Sequence, residues 1–304
     1  MSSKYETIKQ IKELKKQKNA VILTHFYQKM NLYKIADYIG DSLQLSRQAA
    51  RTDADIIVFC GVYFMAETAK ILSPQKKVFL PDMNSGCLMA DMIQVEDLCE
   101  LKALYPGAAV VCYVNSTADI KAESDICCTS ANAVKVVQSL EQKQILFIPD
   151  KGLGSYVARF VPEKEIICYD GFCPTHFRIT LDHIKYTKKK YPDARVLVHP
   201  ECEKEVIDYA DYTGSTSGIF NYALNSPDKI FIIGSEVGIM LHMQQSMPDK
   251  KFVLPTPQAV CENMKRNTLD QVLECLLEEK NEIFVDEKIA NRAVNAINRM
   301  LEVL

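Results

Sequence analysis

Residues 20–27 read AVILTHFY, residues 109–115 read AVVCYVN, and residues 195–201 read RVLVHPE. Each is a short aliphatic run that ends in polar side chains. The second and third follow the near-identical leads YPGA and YPDA. Twelve residues after His25, Tyr113 and His199 come Asp37, Asp125 and Asp211. Five further on come Ser42, Ser130 and Thr216. Downstream, KVFLPDMNSGC, KEIICYDGFC and KFVLPTPQAVC end on Cys87, Cys173 and Cys261. The offsets hold in three copies, so the chain is a threefold repeat of a unit about 87 residues long. That is the size of a small domain and too large for a solenoid repeat.

Within the first unit, continuous runs rich in Val, Ile and Phe predict strands at 21–25, 56–60 and 78–80. Such runs suit parallel strands buried on both faces. Helical patterns lie between them, at 32–51 and 64–72. A further helix introduces each unit, at 5–16, 96–104 and 181–190, and a similar pattern recurs at 268–279. Strands alternating with helices build right-handed βαβ units. The expected architecture is α/β, with three pseudo-threefold-related three-layer αβα domains, each on a short parallel sheet. The expected units are 1–87, 88–173 and 174–285. A C-terminal helix at 286–304 is expected to pack back on the body, beside the first repeat.

The 304 residues are 48% hydrophobic and 25% charged, as in an ordinary globular protein. The net charge of −3 argues against a general nucleic-acid binder. No run of eighteen apolar residues predicts a membrane span. The lysine-rich N-terminus lacks the apolar core of a secretory signal, so the expected location is the cytoplasm. The eleven cysteines are then expected as reduced thiols, metal ligands or catalytic groups rather than a disulfide frame. Cys60, Cys99, Cys112, Cys127, Cys128, Cys168, Cys202 and Cys275 do not recur in all three units, and core packing is the simplest reading for them.

Ligands of open parallel sheets sit beyond the carboxyl ends of the strands. His25 and Tyr27, Tyr113 and Asn115, and His199 and Glu201 occupy equivalent ends. A lone histidine or serine in such a place is most often a hydrogen-bonded surface group or a cap. Here the scaffold positions stay apolar while the marked ones stay polar and vary in type, as an asymmetric ligand in a symmetric frame requires. Ser42, Ser130 and Thr216 are expected to start or cap helices and to help hold an anion. Packing around a pseudo-threefold axis would bring Cys87, Cys173 and Cys261 together. A structural zinc prefers four protein ligands, as does an electron-transfer cluster. Three cysteines on a [4Fe–4S] cluster leave one iron open as a Lewis acid. Such chemistry is a dehydration, with Glu201, His199 and tyrosines moving protons.

The motifs THFY (24–27), GDSLQL (40–45), GVYFMAE (61–67), YVNST (113–117), CTSANA (128–133), HPEC (199–202) and GST (214–216) resemble those of the quinolinate synthases, the A proteins of de novo NAD biosynthesis. The resemblance covers essentially the whole chain. It implies a three-domain enzyme with a [4Fe–4S] cluster on the pseudo-threefold axis. Implied substrates are iminoaspartate and dihydroxyacetone phosphate, giving quinolinate, phosphate and water, with an aspartate-oxidising enzyme as a source of iminoaspartate. Implied cluster ligands are Cys87, Cys173 and Cys261. Implied substrate-binding residues are His25, Tyr27, Ser42, Tyr113, Asn115, Ser130, His176, His199, Glu201, Ser215 and Thr216. Of these, Glu201, His199, Tyr27, Tyr113 and His25 are the expected catalytic groups. Competing readings are an iron–sulfur hydro-lyase for another small acid, a non-enzymatic metal or redox sensor, and a zinc-stabilised binding protein.

Overall fold

A computed structural model of the chain describes residues 4–303. The first sheet holds β1 (Ala20–His25), β2 (Tyr38–Gly40), β3 (Ile56–Cys60) and β4 (Lys77–Phe79), ordered β2-β1-β3-β4. The second holds β5 (Ala109–Tyr113), β6 (Ile126–Cys128), β7 (Gln144–Ile148) and β8 (Glu165–Cys168), ordered β6-β5-β7-β8. The third holds β9 (Arg195–Val198), β10 (Tyr212–Thr213), β11 (Ile230–Gly234) and β12 (Lys251–Val253), ordered β10-β9-β11-β12. Every pairing within these sheets is parallel. One topology is therefore built three times, with helices on both faces of each sheet, as the α/β reading expects.

Burial explains why the strands are apolar throughout. Along β1 and β3, Val21, Leu23, Ile57 and Phe59 enter the large central core. Their neighbours Ile22, Ile56 and Val58 enter a second core, closed by Ile11, Leu269, Val272 and Leu276. In the third sheet Leu197, Phe231 and Ile233 face the central core. Val196, Val198 and Ile232 face a separate outer one with Ile184 and Val206. Successive residues of a strand point to opposite faces, so both faces demand apolar side chains.

The recurring aspartate has a structural role. Asp37, Asp125 and Asp211 each accept the N–H of the residue three before the strand-end mark: Ile22 at 2.8 Å, Val110 at 2.7 Å and Val196 at 2.7 Å. Each also donates its own N–H to that same residue's carbonyl. This two-way clasp starts the short edge strand beside the central one. The predicted helix at 32–51 is in consequence divided. It becomes a 3-10 turn (Leu32–Lys34), β2, and a helix at Ser42–Arg51. A three-residue edge strand is too short to show a period of two.

The chain beyond Cys261 returns to the first unit. The helix Leu269–Glu278 covers the outer face of the first sheet alongside Lys4–Gln17. Phe79 then bridges Glu282 in antiparallel fashion. The last helix, Glu287–Glu302, reaches the first unit at Tyr63–Leu72, but its main seat is Ala118–Ala122 and β6 of the second. Asn132 Nδ2 donates to Met300 O at 3.0 Å, and Arg292 pairs with Glu123. The seat expected on the first repeat is thus a bridge weighted to the second. All eleven cysteines are free thiols. Of those read as core, Cys99 is exposed and Cys168 half-buried. No described helix is long and apolar enough to cross a membrane.

Candidate active site

The carboxyl ends of β1, β5 and β9 open on one cavity of about 170 Å³. His25, Tyr27 and Ser42 line it from the first unit, and Tyr113, Asn115 and Ser130 from the second. His199, Glu201 and Thr216 line it from the third, joined by His176 and by Cys87, Cys173 and Cys261. Of the site residues expected from the sequence, Ser215 alone does not line this cavity. Its hydroxyl accepts the N–H of Gly218 at 3.1 Å and caps the helix Thr216–Asn225.

Ser42 and Thr216 start helices, as expected, but the caps are the residues before them, and Ser130 neither starts nor caps a helix: it lies in the turn before Ala133–Gln138, whose N-cap is Asn132. Asp41, not Ser42, accepts Gln44 N–H at 3.0 Å in a capping box. Ser215, not Thr216, caps the equivalent helix of the third unit. With the cap supplied by the preceding residue, Ser42 and Thr216 become first helical residues that face the cavity. Unsatisfied N–H groups at such helix starts favour anions.

His25 and His199 repeat one local geometry. Tyr27 N–H donates to His25 Nδ1 at 3.1 Å, and Glu201 N–H donates to His199 Nδ1 at 3.3 Å. A ring that accepts at Nδ1 carries its proton on Nε2 when neutral. Burial, with Lys265 and His199 adding to it, lowers His25 to about 3. Burial also lowers His199 to about 3, against the opposing pull of Glu201. Both rings are therefore neutral donors at neutral pH. His199 Nε2 lies 3.2 Å from Ser130 Oγ. The 3.8 Å between His199 Nδ1 and Glu201 is too long for a hydrogen bond, and that nitrogen is already accepting.

Glu201 is held at both oxygens. Tyr113 Oη donates to Oε1 at 2.6 Å, and His176 Nδ1 lies 2.6 Å from Oε2. Burial alone would raise this carboxyl. His176 and His199, with hydrogen bonds from His176 and Tyr113, outweigh burial and hold it well below the usual carboxylate range. It is a carboxylate at neutral pH. Burial, then the Glu201 charge, raises the Tyr27 and Tyr113 hydroxyls. Asn115 Oδ1 is buried with no hydrogen-bond partner, so a ligand N–H can fill that place.

The three cysteines share a local frame. The N–H of Tyr63, Lys151 and Val237, each at the start of a helix, donates to Ser85 O, Gly171 O and Ala259 O. Each acceptor stands two residues before a cavity cysteine. The Cys87, Cys173 and Cys261 sulfurs accept the backbone N–H of Ala90, His176 and Met264, three residues on in every case. Burial pushes the Cys87 thiol up to about 12 and raises Cys173 and Cys261 as well. Cys87 is raised further by Cys261 and Glu201, and Cys173 by Glu201 and then by Cys261 and Cys87. A metal that binds here displaces thiol protons. Cys173, His176 and Glu201 also present ligand atoms within 4.8 Å of one another. Three buried sulfurs, each already accepting an N–H, fit an iron–sulfur group better than a hard cation.

Reasoning from the sequence missed four residues. Ser235 links Tyr27 to His176, at 3.0 and 3.2 Å. Glu236 accepts Cys261 N–H at 3.1 Å and pairs with Lys265 at 2.8 Å. Arg178 is exposed at the mouth, its guanidinium has no hydrogen bond or ion pair among the described residues, and it is the one arginine or lysine in the lining. None recurs across the three units, so the repeat could not expose them.

A sequence profile described as Quinolinate synthetase A protein matches residues 9–302. A quinolinate synthase of Alkaliphilus metalliredigens is 53% identical over 296 residues, covering 97% of this chain and 98% of that one. Those of Geobacter sp. (51%, 98% of each chain) and Caldicellulosiruptor saccharolyticus (50%, 97% of each) are similar to it over the same extent. With that match running through all three sheets and every cavity cysteine, the chain belongs to the quinolinate synthetase A protein family, a family of enzymes.

Proposed function

We propose that this chain condenses iminoaspartate with dihydroxyacetone phosphate, giving quinolinate, phosphate and water, on a [4Fe–4S] cluster held by Cys87, Cys173 and Cys261. The supporting observation is the convergence of three equivalent cysteines, one from each repeat, on the cavity that holds an ionised Glu201. When bound, the cluster supplies one iron without a cysteine ligand, a Lewis acid for a substrate oxygen or nitrogen. The reading includes a cytoplasmic location and an aspartate-oxidising enzyme as the source of iminoaspartate.

The protein's own groups divide the remaining work. The Ser42, Ser130 and Thr216 hydroxyls line the wall, Ser42 and Thr216 at helix starts that attract phosphate and carboxylate oxygens, and Arg178 adds the positive charge. Asn115 Oδ1 accepts a hydrogen bond from the substrate's N–H. Glu201 is the base that removes a carbon-bound proton for enolisation and later returns it to a leaving hydroxyl. The Tyr27 and Tyr113 hydroxyls are both engaged by protein groups, so they reach a developing oxyanion by exchanging a partner for substrate. His25, with Nε2–H directed by its Tyr27 contact, is a neutral donor for the same purpose.

The test begins with iron, sulfide and zinc per chain after strictly anaerobic purification, followed by turnover of the two substrates. About four irons and four sulfides are expected. Glu201→Gln should keep the cluster and slow turnover by about 10²-fold or more. Cys261→Ala should lose cluster and turnover together. An active Cys261→Ala protein without a cluster overturns the reading. So does a protein that takes up zinc but no iron and sulfide on anaerobic reconstitution.

A further inference from the structure

Ser235 is fully buried behind the cavity wall and lies just before the helix Val237–Ser246. Its Oγ stands 3.0 Å from Tyr27 Oη and 3.2 Å from His176 Nε2. Tyr27 Oη is also 2.9 Å from Thr216 Oγ1. His176 Nδ1 reaches Glu201 Oε2, and Tyr113 reaches Oε1. These contacts form one unbroken chain, Thr216–Tyr27–Ser235–His176–Glu201, drawn from the first and third units, with Tyr113 of the second meeting it at Glu201.

A carboxylate only accepts, so His176 Nδ1 presents an N–H to Glu201, with Cys173 Sγ 3.2 Å from the same nitrogen. The other ring nitrogen, Nε2, has Ser235 Oγ as its partner. The same hydroxyl is one of the two partners of Tyr27 Oη, Thr216 being the other. One buried hydroxyl thus ties the far nitrogen of His176 to the tyrosine of the first unit.

We propose that Ser235 is a positioning residue for the reaction, joining Tyr27 to His176 and holding both in the chain of contacts that ends on Glu201. This rests on the function proposed above and adds a residue outside the substrate's reach. Without the Ser235 hydroxyl, Tyr27 keeps Thr216 but loses its second partner, and His176 keeps Glu201 but loses its partner at Nε2. Both rings are then held at one end only and are free to shift from the positions they take up around Glu201.

The experiment compares wild type, Ser235→Ala and Ser235→Thr as anaerobically loaded holoenzymes. Alanine removes the hydroxyl and adds no bulk. The expected result is a roughly 10- to 100-fold lower kcat for alanine, with KM for both substrates, iron content, the electron paramagnetic resonance spectrum of the reduced cluster and Tm all near wild type. Threonine, which restores a hydroxyl, should recover kcat to within about threefold, since only the lost geometry is at stake. Wild-type kcat in the alanine variant overturns the proposal. So does a loss of iron or Tm with kcat per cluster unchanged, or a loaded threonine variant as slow as alanine. Wild-type enzyme that makes no quinolinate would instead overturn the function on which the proposal rests.

Discussion

Arg178 is the residue whose charge best separates recognition from chemistry. The cavity wall also carries Glu201, Glu236, Asp41 and the exposed Glu262, yet Glu236 is met by Lys265 and Asp41 by Gln44 and Ser217. The Arg178 guanidinium has no such partner among the described residues and is left to face an anion. Hydrogen bonds between charged groups contribute about 1.5–3 kcal/mol. Arg178→Gln should therefore raise the KM for dihydroxyacetone phosphate about tenfold or more, with kcat and the KM for iminoaspartate little changed. Steady-state kinetics with each substrate varied in turn checks this, and the opposite pattern assigns Arg178 to the other substrate. The buried imidazoles make a separate prediction. His25 and His199 bind a proton near pH 6.5 when unfolded and only near about 3 when folded. Between those values the unfolded chain holds more protons, so stability is full above about pH 6.5 and falls as pH drops through the window. Anaerobic urea titrations from pH 7.5 to 5 should show the midpoint falling, and His25→Asn should make that dependence shallower. At this scale the sequence exposed what recurs. Cys87, Cys173 and Cys261, and the His, Tyr and Glu at strand ends, stand at fixed offsets. Arg178, Ser235 and Lys265 do not recur, and Glu236 has a counterpart only in Asp150 of the second unit, so the threefold offsets did not mark them.

The Asp37, Asp125 and Asp211 clasps act on elements rather than on the cavity. Each carboxylate takes a strand N–H, and each backbone returns the bond. Removing one carboxylate leaves a half-buried strand N–H unpaired at the place where the edge strand begins. Asp125→Ala should therefore cost about 1–3 kcal/mol, read as a lower urea midpoint, while kcat per cluster stays near wild type. An unchanged midpoint would mean that water replaces the carboxylate at no cost. The recurring marks were thus of two kinds, and the offsets gave the aspartates no role. Ser42 and Thr216 face the cavity because Asp41 and Ser215 do the capping, whereas the aspartates clasp strands. Long buried strands such as β1, β3 and β5 are legible because burial on two faces forces uninterrupted apolar runs. The two- and three-residue edge strands β2, β6 and β10 carry no such pattern. They exist through pairing with a neighbour that the local sequence does not name.

At the scale of the molecule, three similar units must be held so that three cysteines meet. The tail does part of this work. Glu287–Glu302 buries Ala293, Ala296, Ile297 and Met300 completely or nearly so. It seats them against the helix Ala118–Ala122 and β6 of the second unit and Tyr63–Leu72 of the first. Tyr63 begins the helix whose N–H holds Ser85, two residues before Cys87. The tail therefore braces the Cys87 loop against the unit that supplies Cys173, although none of its residues lines the cavity. Ile297→Ala removes buried methyl groups at that brace and should cost about 2–5 kcal/mol. If the brace sets ligand geometry, the variant should lose iron to a chelator faster than wild type at a temperature well below its own melting point. Its kcat per remaining cluster should stay near wild type, because Glu201, His176 and the tyrosines are untouched. A lower Tm with an unchanged rate of iron loss would reduce the tail to a cover for apolar surface. The cysteines would then owe their convergence to the packing of the three sheets alone.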